Sequence, residues 1–182
     1  MGLLDGIFGS RSGKGPATGY VRTLMREPEP ADVEWLCDVA TGDDRDRAVW
    51  ELRYLKRALG LVVAQRDALD DRTASSVAHE LAEQMAADRN VAAPMLRLAE
   101  RQFNERLSAY REMMALRGAG EPAAERIGRT LLLMSGAGRV GKDDLAAAAV
   151  IADRYLSQAV DGLRTAFGHA SSPGTSGRGP AS

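Results

Sequence analysis

The sequence predicts an all-α protein, a compact bundle of about five to six helices with flexible N- and C-terminal tails. Three observations carry that expectation. Apolar residues recur three or four positions apart through most of residues 31–167. No segment alternates apolar and polar side chains at every second position. The breaks between periodic runs hold glycines, prolines and acids that end or begin helices.

Residues 1–19 are expected to form a flexible N-terminal segment. Met1 to Phe8 make a short apolar plug, and SRSGKGPATG (10–19) has the composition of a linker. The prolines of REPEP (26–30) push each preceding residue away from helical backbone, so this stretch reads as extended. The helical pattern begins at Ala31, and a single bundle domain is expected over 20–168. Its first helix, 31–40, stops at Gly42. A long helix over 43–69 opens on Asp43 and Asp44, acids that suit the positive end of the helix dipole. Ala48, Leu52, Leu55, Leu59 and Val62 form its apolar stripe, while Arg53, Lys56 and Arg57 mark a polar face. Gly60 in its middle implies either a close helix crossing or a bend.

Asp70 or Asp71 can cap a third helix, about 72–88, with Ala74, Val77, Ala78, Leu81 and Met85 on one face. Pro94 suits the first turn of a fourth, reaching Leu116. Leu96, Ala99, Phe103, Leu107, Tyr110 and Met114 give it the cleanest stripe in the chain, and Arg97, Glu100, Arg101, Glu105 and Arg106 read as surface pairs. Pro122 starts a fifth helix through Met134 or Ser135, and the last runs from about Asp143 to Phe167. Residues 169–182 have the composition of a disordered tail.

The net charge of −1 offers no overall field for nucleic acid or anionic lipid. The nearest approach to a basic recognition helix, Arg53, Lys56 and Arg57 with Trp50 and Tyr54, is opposed by Asp43, Asp44 and Asp46 at the same helix's start. Arginine far outnumbers lysine, and Ala and Asp are abundant, as in high-GC bacterial coding. A lone Cys37 in an apolar stripe forms no internal disulfide and reads as a small core residue. MGLLDGIFGS lacks a basic leader, and no apolar run approaches the roughly 20 residues of a bilayer span, so a cytoplasmic location is expected.

One stretch invites a sharper reading. In LLLMSGAGRVGKDD (131–144), Gly136, Gly141 and Lys142 have the spacing of a phosphate-binding loop, which makes them the candidate nucleotide contacts. Asp143, however, stands where such a loop places a metal-binding hydroxyl, and too little chain follows for the sheet that a nucleotide fold needs. The same stretch resembles an EF-hand loop, with Gly138 at the sixth position and Asp144 at the twelfth. Leu133, Ser135 and Ala137 then occupy ligand positions and supply no carboxylate. An interhelical turn is the favoured reading.

His79, beside Glu83, lacks a second histidine to complete a helical metal site, and no serine sits in a nucleophile elbow. No metal, cofactor or catalytic residue is therefore expected. Leu3, Leu4, Ile7 and Phe8 recur at helical spacing and could fold back on the bundle, dock on a partner or lie on a membrane. Without a reactive constellation, the sequence favours a non-catalytic interaction module (an adaptor, assembly chaperone or scaffold) whose partner is another protein or a second copy. The alternative is a bundle that binds or transforms an apolar small molecule between its helices, lined by Trp35, Trp50, Tyr54, Tyr110, Met113 and Met114.

Overall fold

The computed structural model describes residues 15–68, 70–116 and 120–168. Among them run seven α-helices: α1 (Pro16–Leu24), α2 (Pro30–Leu36), α3 (Arg45–Asp67), α4 (Asp71–Ala86), α5 (Leu96–Ala115), α6 (Ala123–Ser135) and α7 (Lys142–Phe167). The all-α expectation holds, while five to six helices is an undercount. A π-helical turn, Cys37–Thr41, extends α2, and a 3₁₀ turn, Ala93–Met95, leads into α5. The segment 1–14, with Leu3, Leu4, Ile7 and Phe8, and the tail 169–182 lie outside the described residues.

The uncounted helix is α1, which begins inside the stretch read as a linker. Pro16 occupies its first turn, where the missing N–H would have had no helical partner. Gly15 and Gly19 dilute its pattern, and only Tyr20, Val21 and Leu24 are buried, too short a run to stand out as periodic. Packing supplies what propensity does not. Helix α1 lies against α7, α4 and α3, and the Tyr20 hydroxyl donates to the Gly60 carbonyl oxygen at 2.8 Å. This contact also explains Gly60, because a Cβ there would overlap the Leu24 side chain. Gly60 marks a close crossing.

Helix α3 is the axis of the molecule and packs against all six of the others. Its Leu52, Leu55 and Leu59 are fully buried, each stabilising the fold by about 1.5–3 kcal/mol. From Arg57 to Ala64 every residue is buried, as a helix surrounded on all sides requires. The polar face expected at Arg53, Lys56 and Arg57 is accordingly not a solvent face: Arg53 and Arg57 are buried, and so is Glu51. Each ion has a partner from another segment. Arg53 pairs with Glu27 at 2.7 Å, Arg57 with Asp88 at 3.0 Å, and Glu51 with Arg106 at 2.5 Å. Arg106 thus leaves the row of surface pairs expected on α5.

Side-chain caps set two helix starts. Asp44 accepts from the Arg47 N–H at 2.9 Å to open α3, while Asp43 sits just outside in left-handed backbone. Asp70 accepts from the Thr73 N–H at 2.7 Å to open α4. At the other end of the chain α6 and α7 make the closest helix pair, with Gly128 against the backbone of Ala148 and Ala149. Helix α2 is tied to α7 through buried Asp32, which accepts from the Tyr155 hydroxyl at 3.0 Å and from Arg154. Burial, and then the Asp32 carboxylate, push the Tyr155 hydroxyl far above its ordinary pKa.

Candidate functional site

Helices α4 and α5 each pack on α3 but share almost no close contact with each other. Between them, over α3, lies a cleft of about 310 Å³, at the lower end of the roughly 300–1,000 Å³ usual for small-molecule sites. Its floor is one face of α3, where Trp50, Tyr54, Arg57 and Leu61 follow at helical spacing. Ala78, Leu81 and Met85 of α4 form one wall. Leu96, Ala99, Phe103 and Leu107 of α5 form the other, and Val91 of the connecting segment joins them. The first four residues of the α5 stripe therefore face this opening, while Tyr110, further along, is buried in the core.

Aromatic rings line one side in sequence. The Trp50 and Tyr54 centroids are 5.6 Å apart and tilted, and Phe103 follows at 6.4 Å from Tyr54. Around them stand the guanidinium groups already met in the ion pairs with Glu27, Asp88 and Glu51. Arg53 lies 4.6 Å and Arg57 5.8 Å from the Trp50 ring centre, and Arg106 lies 5.7 Å from that of Tyr54. These are attractive cation–π placements, strengthened by exclusion of water.

Arg57 and Asp88 form the most deeply buried pair, their side chains 3% and 6% exposed. Burial lowers the Arg57 pKa, against the hydrogen bond and charge of Asp88, but a guanidinium stays protonated at any ordinary pH. Burial alone would raise the Asp88 carboxyl. The Asn90 backbone N–H, then Arg57 and the Asn90 amide, outweigh it and hold the group below the usual carboxylate range. Asn90 makes both its bonds to Oδ1 at 3.0 Å, which leaves Oδ2 to Arg57. The Arg57 Nε, also buried, finds no acceptor among the described residues. Tyr54 donates to Gln102 at 3.1 Å, and burial followed by the Glu51 charge raises its hydroxyl pKa despite the nearby arginines.

No protein-family model, curated protein or solved structure matches this chain. What the site can do follows from its residues alone. The described lining holds no His, Cys, Ser, Thr or Lys; its polar members are Tyr54, Arg57, Glu100 and Asn104. This chemistry suits holding a molecule through shape and one or two hydrogen bonds.

Of the aromatic and methionine residues the sequence offered as pocket lining, Trp50 and Tyr54 reach the cleft, whereas Trp35, Tyr110, Met113 and Met114 do not. Most of the cleft wall was legible only as core, since Leu96, Ala99 and Phe103 carry the same periodic signal as any buried stripe.

Gly136, Gly141 and Lys142 lie in the connection between α6 and α7. Gly136 is left-handed (φ 102°); its N–H bonds to the Leu133 carbonyl and that of Ala137 to Leu132, the pattern that closes a helix C-terminus. A helix, not a strand, therefore leads into the loop, and the Asp144 carboxylate lies against Gly141. Lys142 is exposed at the start of α7. His79 is 76% exposed and 3.4 Å from Glu83, and Cys37 is half-buried in the π-helical turn. Among the described residues, no group of three His, Cys, Asp or Glu could hold a metal ion, and no helix is long and apolar enough to cross a membrane.

Proposed function

We propose that the protein is a non-catalytic binding protein for a small, mostly apolar molecule, held between α4 and α5 on the aromatic floor of α3. One observation carries this reading: two apolar helix stripes that could have closed on each other stand apart and enclose about 310 Å³. The interaction-module reading that the sequence favoured had Leu3, Leu4, Ile7 and Phe8 as its candidate surface, outside the described residues; among the described ones the large exposed apolar side chains are Met95, Leu116, Leu133 and Val150. They are scattered on or beside three helices, and such single exposures are ordinary for a protein surface.

Titration with the uncharged fluorescent probe N-phenyl-1-naphthylamine tests the reading. Saturable one-to-one binding is expected, with a thermal midpoint that rises with probe concentration because only the folded state binds. Ala99→Trp, which places an indole in the cleft, should abolish it. Unsaturable binding, or binding indifferent to Ala99→Trp, would refute the cleft as the site.

A further inference from the structure

We propose that the ligand of this cleft is uncharged, with a planar apolar body and one carbonyl-type oxygen that accepts a hydrogen bond from Arg57 Nε; this rests on the cleft being the binding site. Arg57 lines the cleft, its side chain is 3% exposed, and Nη2 is committed to Asp88, yet Nε meets no acceptor among the described residues. Buried donors in folded proteins are almost always paired, so the orphaned N–H of a guanidinium whose residue lines the cavity points to a ligand acceptor.

Charge decides the kind of acceptor. The positive charge of Arg57 is already met by Asp88, and the neighbouring Arg53 and Arg106 are met by Glu27 and Glu51. A carboxylate ligand would therefore add a second anion beside Asp88 with no free cation to receive it, and Glu100 in the lining adds to the repulsion. A carbonyl oxygen fulfils the missing bond without bringing charge. Shape follows from the rings: Trp50, Tyr54 and Phe103 all line the cleft, and aromatic surfaces favour a flat body over a branched one.

Three probes of similar size separate the possibilities on the full chain: ethylbenzene, acetophenone and benzoate, with dissociation constants from NMR titration. Acetophenone should bind roughly tenfold to a hundredfold more tightly than ethylbenzene, the usual effect of one hydrogen bond from a charged donor. Benzoate should bind more weakly than acetophenone. Arg57→Lys retains a cation for Asp88 but removes the Nε–H, so it should bring the ketone's affinity down to that of ethylbenzene measured on the same variant. Should that variant not fold, the carbonyl stretch of ¹³C-labelled acetophenone on the wild-type protein decides. It should fall below its value in a hydrocarbon solvent, and an unshifted stretch overturns the proposal. Equal affinities for ketone and hydrocarbon would show Nε already satisfied by solvent and also overturn it, with the cleft surviving as a site. Tightest binding of benzoate overturns it in favour of an anion site. If none of the three binds, the cleft reading falls and this proposal with it.

Discussion

The α6–α7 pair and the α4–α5 pair are each joined by a short connection, yet one is closed and the other open. Where α6 meets α7, Gly128 lies against Ala148 and Ala149, and there the backbones nearly touch. Where α4 faces α5 the stripes carry Leu81, Met85, Leu96, Phe103 and Leu107, and the helices rest on α3 with almost no close contact between them. Small side chains let backbones approach, whereas large ones set a distance that something else must fill or hold. On the open side the holding is polar. Asp88, just past α4, clamps Arg57 of α3, and Arg106 of α5 clamps Glu51. A hydrophobic stripe therefore shows that a helix face avoids water, but not that a neighbouring helix covers it.

The largest expected effect breaks the polar clamp. Asp88→Ala strands a buried guanidinium and should cost about 3–5 kcal/mol in urea unfolding, while replacing both Arg57 and Asp88 by leucine should recover most of that loss. A loss under about 1 kcal/mol in the single variant would mean that the pair does not hold the cleft.

Next comes the closed side. Gly128→Ala puts a Cβ 2.8 Å from the Ala148 carbonyl carbon and the Ala149 nitrogen, both backbone atoms that cannot rotate away. About 1–3 kcal/mol should be lost. Gly138→Ala, which meets nothing within 4 Å, serves as control and should shift the midpoint little in comparison.

Acid should sharpen the contrast further. Because the Asp88 carboxyl is held below its ordinary pKa in the folded state, its ionised form stabilises the protein at neutral pH. That contribution is lost as pH falls from about 4 through the folded value. The stability difference between wild type and Asp88→Asn should thus be widest near pH 7 and narrow below about pH 4. A difference that does not change with pH would contradict the assigned pairing.

The smallest effect belongs to the open side. Ala99→Leu has room in the cleft, so its stability should stay within roughly 1 kcal/mol of wild type while probe affinity falls. A large destabilisation would show that α4 and α5 are closer packed than the cleft implies.

Much of this architecture was legible residue by residue. The 3.6-residue recurrence of Leu96, Phe103 and Tyr110, the acid pairs Asp43–Asp44 and Asp70–Asp71 that hold the caps of α3 and α4, and the end of α6 at Ser135 each depend on neighbours within one or two turns. Helix α1 was hidden because Gly15 and Gly19 weaken its local signal and its stability comes from α3, α4 and α7. The cleft was hidden for a related reason. Trp50 and Tyr54 could be singled out by type, but Arg57 read as a solvent residue until Asp88, 31 positions away, was seen to bury with it.

By itself the sequence determined that this chain is helical, where most helices begin and end, and which faces shun water, because those properties arise from short-range backbone sterics, capping and periodicity. Only the tertiary structure decided that the middle of α3 is enclosed on every side, that Arg57 pairs with Asp88 inside the protein, and that α4 and α5 stand apart. Those outcomes depend on which of several apolar faces meet, and that is settled by side-chain volume and buried charge pairing between segments distant in the chain.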